Sequence, residues 1–266
     1  MKTRIITAIW AGAIFLGLLY LGGIPFLAFM AILTVIGYTE LVKMRQLSFS
    51  SIPVLLFGIG TLLPFVPVYE MTRDQTITLG LSPLAWGMLI ILVGLFWNVF
   101  SKNVFTFDDV AFLLLTSLYV GVGFASFAFI RLLDNGLTLS LLIILLIWFT
   151  DSGAYFVGKR FGKTKLWPAI SPNKTIEGAA GGILLALLLG LVFEAINPTL
   201  GYAEVVLLAL IVAVVGQLGD LVQSAYKRHY GVKDAGNLLP GHGGILDRFD
   251  SMLIVFTVLI TLGIFS

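Results

Sequence analysis

Nine apolar runs, each close to the length a helix needs to cross a bilayer, occupy most of this 266-residue chain. They fall at about residues 5–21, 24–42, 52–69, 83–100, 108–130, 137–158, 176–196, 203–226 and 250–266. Inside hydrocarbon the backbone has no partner but itself, so each run is expected to be a helix. Turn-forming residues separate them: Gly22-Gly23-Ile24-Pro25, Ser51-Ile52-Pro53, Ser82-Pro83 and Asn197-Pro198. Pro64 and Pro67 predict a kink late in the third run. Charged residues make up only 11% of the chain, against about 25% in a soluble domain. The expected fold is therefore all-α, a polytopic integral membrane protein of about nine transmembrane helices. There is no cysteine, which excludes disulfides and thiolate chemistry. Lys2 and Arg4 precede the first run and no small-residue cleavage site follows it, so it reads as an uncleaved span.

The basic residues give the orientation. With the N-terminus in the cytoplasm and the spans alternating, all of the 16 Lys and Arg except Arg73 and Arg131 fall on the cytoplasmic side, as the positive-inside rule requires. Only two cytoplasmic segments are longer than a turn, 159–175 and 227–249, so any chemistry belongs there. The polar content is skewed in the same way. Residues 1–131 read as helices serving as scaffold, dimer contact or lipid-access route. Residues 132–266 read as helices around a catalytic cavity that faces the cytoplasm.

Two acids lie below the expected surface. Asp151 stands eight residues before Lys159, and Asp220 seven before Lys227. At the helical rise each sits about 10–12 Å inward from the end of its span. A carboxylate at such depth costs at least ~2.5 kcal/mol unless it is paired or meets water. Two of them at similar depth predict one polar cavity, the plainer alternative being a structural ion pair. Asp220, Ser224 and Lys227 are spaced to share a helix face. Gly216 and Gly219 flank that stretch and would let a helix or a ligand come close. Asp247 and Asp250, three apart, open the last run and converge if that segment is helical. Carboxylates with open positions suit Mg²⁺, which prefers oxygen ligands and keeps substrate phosphates in its shell. The alternative for Asp247 is a helix N-terminal charge. The same reading is preferred for Asp108 and Asp109 at the start of the fifth run.

Cations surround these acids: Lys227, Arg228, Lys233 and Arg248 near the last span, and Lys174 in "SPNKTIEG". Acids and cations in one cavity are the composition of a phosphoryl-transfer site. The run "PGHGG", with His242, Gly243 and Gly244, supplies backbone N–H groups that can approach a phosphate. Lys159, Arg160, Lys163 and Lys165 read instead as a solvated basic loop that sets topology or touches anionic lipid.

The residues from Ser224 to Asp250 resemble the signature of the phosphatidate cytidylyltransferases, the CDP-diacylglycerol synthases. The matching positions are Ser224, Lys227-Arg228, Lys233-Asp234, Gly236, Pro240-Gly241-His242-Gly243-Gly244, Asp247-Arg248 and Asp250. "TDSGAY" at 150–155 and "SPNKTIEG" at 171–178 also look like family elements. Gln223 departs from the pattern, where many relatives carry Glu, and puts a metal role for that position in doubt. Tyr226 departs too, standing where an aliphatic residue or Phe is usual.

The resemblance implies transfer of the cytidylyl group of CTP to phosphatidate, giving CDP-diacylglycerol and pyrophosphate in phospholipid biosynthesis. It implies Mg²⁺, with a second metal or a monovalent ion left open, and a homodimer. Asp220, Asp247 and Asp250 are expected to hold metal, with Asp151 a weaker candidate. Lys174, Lys227, Arg228, Lys233 and Arg248 are expected to bind the triphosphate and the lipid phosphate, and His242 to donate to a phosphate oxygen. Asn173, Ser224, Gly243 and Gly244 complete the substrate wall, and Glu177 is placed to pair with Lys174. The expected location is the inner (cytoplasmic) membrane, with membrane lipid but no nucleic acid as partner.

Other classes compete. A CDP-alcohol phosphotransferase needs an Asp-Gly-x-x-Ala-Arg run, and a soluble cytidylyltransferase a His-x-Gly-His motif; neither is present. A Mg²⁺-dependent polyprenyl-phosphate sugar-phosphate transferase shares the loops, metal and lipid phosphate but not the signature spacing. A transporter would show paired broken helices in corresponding halves, which this one-sided distribution of polar residues does not.

Overall fold

The computed structural model describes residues 2–72, 82–241 and 243–265, with side chains from residue 7 onward. His242, Arg73 and the side chains of Lys2 and Arg4 lie outside the described residues. The helices follow the apolar runs closely. In chain order they are α1 (Lys2–Leu21), α2 (Gly23–Met44), α3 (Ile52–Gly60), α4 (Phe65–Glu70), α5 (Pro83–Phe100), α6 (Phe107–Leu132) and α7 (Gly136–Phe161). A short hairpin, β1 (Lys165–Trp167) and β2 (Ser171–Thr175), precedes α8 (Ile176–Ile196), α9 (Tyr202–His229) and α10 (Leu246–Thr261). Among the described residues seven stretches are long and apolar enough to cross a membrane: α2, α3 with α4, and α5 to α9. The chain is an all-helical, multi-pass membrane protein carrying one small hairpin.

Local chemistry sets the boundaries. The third run breaks where Pro64 predicts, between Gly60 at the end of α3 and Phe65 at the start of α4. Ser82 caps α5 by accepting from the Ala85 N–H, and Pro83 occupies the first turn, where a missing N–H costs nothing. Thr106 and Asp109 form a reciprocal capping box at the start of α6. Asp109 is thus the helix N-terminal charge expected from sequence, and it also pairs with Arg45 at 2.9 Å.

The chain divides into two compact units, Met1–Asp134 with Asp234–Arg248, and Asn135–Lys233 with Phe249–Ser266. In the first, Tyr38, Val42, Val54, Phe57, Phe105, Val110 and Leu113 pack as one cluster. The Tyr38 hydroxyl, otherwise an orphan in that cluster, donates to the Val54 carbonyl at 2.6 Å. Nearby Phe26 and Phe127 meet edge to face at 5.3 Å. In the second unit Leu142, Ile143, Leu146, Val212, Phe256 and Leu259 are completely buried. Helices α7 and α8 lie backbone to backbone. A Cβ on Gly182 would stand 2.6 Å from the Thr150 carbonyl oxygen, and one on Gly153 2.8 Å from that of Gly181. Small residues at a crossing permit such an approach between membrane helices. Gly219 does the same for α9, where a Cβ would meet the Ser251 backbone at 3.1 Å.

The hairpin adds strands that the sequence reading of 159–175 does not contain, where Lys159, Arg160, Lys163 and Lys165 read as a solvated basic loop. Its strands run antiparallel, with Lys165 opposite Thr175 and Trp167 opposite Ser171, and the register slips between them. Both strands are short and largely exposed, so no alternation of apolar and polar residues announces them. Thr175 ends β2 and caps α8 by accepting from the Gly178 N–H at 3.1 Å.

Candidate active site

In the second unit the hairpin closes one side of a cavity of about 420 Å³. Asp151, Tyr155 and Lys159 reach it from α7, Asn173 and Lys174 from β2, and Gln217 and Asp220 from α9. The two deep acids predicted to share a cavity therefore line the same one. Lys174 pairs with Asp220 and acts electrostatically on Asp151. Its Nζ stands 2.5 Å from Asp220 Oδ2 and donates to the Gln217 carbonyl at 3.5 Å. β2 thus delivers a cation to a carboxylate that α9 would otherwise hold unpaired inside a span.

The face of α9 expected from spacing is present. Ser224 Oγ donates to Asp220 Oδ1 at 3.4 Å, one turn on. Lys227 follows on the same face and donates to Gln223 Oε1 at 3.5 Å. Asp250 belongs to this group as well, since it lies within electrostatic reach of Asp220, Asp151 and Lys227. Arg228 Nε donates to the Ile170 carbonyl at 3.4 Å, tying the end of α9 to the hairpin turn. Lys233 is exposed beyond the helix end.

Three features were not read from the sequence. Lys159, assigned to topology, lines the cavity and sits 5.7 Å from the Tyr155 ring centroid. Glu177 does not pair with Lys174. It accepts from the Lys163 and Thr164 N–H groups at 3.0 and 3.1 Å, because the first turn of α8 points it at the start of the hairpin. The third is Glu40 of α2, described next.

In the first unit, residues 234–248 carry the rest of the signature. Gly241 and Gly243 take left-handed backbone angles, φ 77° and 84°, and the Leu239 N–H closes the turn on the Gly243 carbonyl at 3.0 Å. The Asp247 carboxylate accepts from the Ala235 and Gly244 N–H groups at 2.7 and 2.9 Å. Glu40 accepts from the Ile245 and Leu246 N–H groups at 2.8 and 3.0 Å. The N–H groups of residues 244–246 therefore already have carboxylate acceptors. The sequence offers the N–H groups of this run to a phosphate; at Gly244 the structure gives that donor to Asp247. Arg248 is exposed.

The cavity combines carboxylates, a half-buried ammonium group and polar backbone. A model of the cytidylyltransferase family matches residues 2–265. This chain belongs to the cytidylyltransferase family. Relatives of this cytidylyltransferase include the phosphatidate cytidylyltransferase of Bacillus subtilis (strain 168), 46% identical over 261 residues that cover 97% of this chain and 96% of that protein. The phosphatidate cytidylyltransferases of Staphylococcus aureus (strain COL) and Staphylococcus epidermidis (strain ATCC 35984) are each 43% identical, covering 97% of both chains. A cytidylyltransferase is a nucleotidyltransferase, so the sugar-phosphate transferase and transporter readings fall away.

The acids also bear on a metal ion. Asp151, Asp220 and Asp250 offer only hard oxygen donors, and Asp220 acts electrostatically on the other two. Among the described residues no three His, Asp or Glu side chains form a ready-made cage. That donor set fits Mg²⁺, which binds through one or two carboxylates and completes its shell with water and substrate phosphates.

Proposed function

We propose that this cytidylyltransferase joins CTP to phosphatidate, releasing pyrophosphate and forming CDP-diacylglycerol for phospholipid synthesis. The near full-length identity with proteins named phosphatidate cytidylyltransferase carries this reading, and the acid–lysine cavity is the chemistry it needs. A phosphate oxygen of phosphatidate forms a bond to the α-phosphorus of CTP. The bond from that phosphorus to the oxygen bridging to the β-phosphorus breaks, and pyrophosphate leaves with the electron pair. Phosphatidate supplies its own nucleophile, so the protein contributes position and charge.

Lys174, one of two lysines that line the cavity, is held ready by Asp220. When a phosphate enters, Lys174 can exchange the carboxylate for phosphate oxygens without moving far. Lys227, Arg228, Lys233 and Arg248 bind the remaining phosphate oxygens of the two substrates, His242 donates to the departing pyrophosphate, and Asn173 and Ser224 complete the wall. Asp220 and Asp250, with Asp151 beside them, would hold Mg²⁺, which when bound neutralises the charge on the phosphates. Asp247 is a further metal candidate, and its Oδ2 also receives two N–H groups of the loop. Gly243 and Gly244 shape that loop.

The topology that serves this reaction has nine spans, the N-terminus in the cytoplasm, and the cavity open to cytoplasmic CTP at the surface of the cytoplasmic membrane. The functional form is a homodimer. The test is pyrophosphate release by purified protein in detergent, with CTP, Mg²⁺ and phosphatidate supplied singly and together. Release only when all three are present is expected. Release without phosphatidate, or none at all, overturns the reading.

A further inference from the structure

Helix α10 starts at buried Leu246, and Ile245 before it has no polar side-chain atom with which to cap the helix. The first N–H groups of a helix have no intrahelical partner and need one. Glu40 fills that need from a distance of more than two hundred residues, accepting from Ile245 and Leu246 at 2.8 and 3.0 Å. Its negative charge also complements the positive end of the helix dipole. Glu40 is 5% exposed, and Ile245 and Leu246 are 5% and 0% exposed, so water does not compete for these bonds.

Two signature glycines lie directly on the same carboxylate. A Cβ on Gly236 would stand 2.6 Å from Glu40 Oε1, and one on Gly244 2.5 Å from both carboxylate oxygens. Neither glycine has a positive φ. No backbone strain demands glycine at these two positions; the close approach to Glu40 does. One turn earlier on α2, Gly37 lets Leu246 seat against the helix, where a Cβ would come within 3.0 Å of its side chain. Asp247 completes the arrangement by bracing Ala235 and Gly244 from within the loop.

The geometry points to Glu40 as a positioning residue for cytidylyl transfer. It is the template on which Gly236 and the Gly244–Leu246 stretch are moulded, so that both and the start of α10 are set before substrate arrives. This rests on the proposed function, since the loop's catalytic role does. In this role Glu40 acts through Ile245, Leu246 and the two glycines.

Glu40→Gln tests it with little change of shape. The amide oxygen can accept one N–H, but the amide nitrogen then faces the other donor. Two readouts are taken on detergent-purified protein: amide hydrogen exchange across 235–246, and kcat with KM for CTP. The expected result is exchange at least about tenfold faster in that segment and kcat about tenfold lower, with KM for CTP changed less than about threefold. Unchanged exchange, or faster exchange with wild-type kcat, overturns the positioning role. If Glu40→Gln fails to fold, Gly236→Ala alone is compared with Gly236→Ala joined to Glu40→Asp, which withdraws the carboxylate by one methylene. Higher activity or slower exchange in the double variant supports the contact, and no recovery overturns it. Wild-type protein that forms no CDP-diacylglycerol would refute the function reading separately, and the exchange comparison would still decide for or against Glu40.

Discussion

Lys174 Nζ and Asp220 Oδ2 stand 2.5 Å apart, joining the hairpin to the middle of α9 inside the polar cavity. Each residue is only partly exposed, so neither charge is fully solvated if its partner is removed. Lys174→Ala and Asp220→Asn are each expected to reduce CDP-diacylglycerol formation about 100-fold, the scale of losing one group that stabilises transition-state charge. Because they share one contact, the double variant should fall well short of the product of the two losses. A double variant whose losses multiply would place the two residues in separate tasks.

Asp220 and the signature residue Asp247 should separate by mechanism. Asp220→Asn removes charge from the cavity and leaves the 235–246 loop as it was. Asp247→Asn disturbs the acceptor of the Ala235 and Gly244 N–H groups. Both variants are expected to lose most of their turnover while still inserting and purifying. Hydrogen exchange distinguishes them: loop amides speed up in Asp247→Asn only. Equal exchange in the two variants would remove the bracing role from Asp247.

The crossing of α7 and α8 should tolerate no added bulk. Gly182→Val places carbon against the Thr150 carbonyl, where even a Cβ would stand 2.6 Å away. Overpacking of this kind costs typically ~1–3 kcal/mol. A Tm several degrees lower in detergent is expected, and Gly12→Val, where a Cβ meets nothing within 4 Å, serves as the control with no change. An unshifted Tm for Gly182→Val would mean the helices are not packed this closely.

Thr106→Ala opens the capping box of α6 and should destabilise the protein by about 1 kcal/mol. Thr106 belongs to the first unit and is not among the residues that line the cavity, so KM for CTP should remain unchanged. A rise in KM without a fall in Tm would contradict a purely structural cap.

Much of this architecture is legible in the sequence because membrane helices are written in hydropathy. The apolar runs, the break at Pro64 and the deep acids Asp151 and Asp220 all follow from it. The spacing of Asp220, Ser224 and Lys227 likewise reads directly as one helix face. Other features depend on contacts between residues far apart in the chain. Glu40 reads as an ordinary charge near the end of a span until the loop beginning at Ala235 folds onto it. The N–H groups of 244–246 look available for phosphate until Glu40 and Asp247 are seen to accept them. The hairpin at 165–175 escapes because its strands are too short and too exposed to show a period. Lys159 stands among four basic residues that look alike in sequence, and only the fold turns it to the cavity.

The central claim is that the α-phosphorus of CTP is transferred to a lipid phosphate. The most direct measurement supplies CTP labelled at the α-phosphate or at the γ-phosphate, with phosphatidate and Mg²⁺, with and without EDTA, and follows the label between the aqueous and organic phases. The account predicts that α-label enters the lipid phase, that γ-label leaves as pyrophosphate, and that EDTA abolishes both. Label from the γ-position appearing in lipid, or α-label remaining in water across several acyl chains and with Mn²⁺ also supplied, would contradict it.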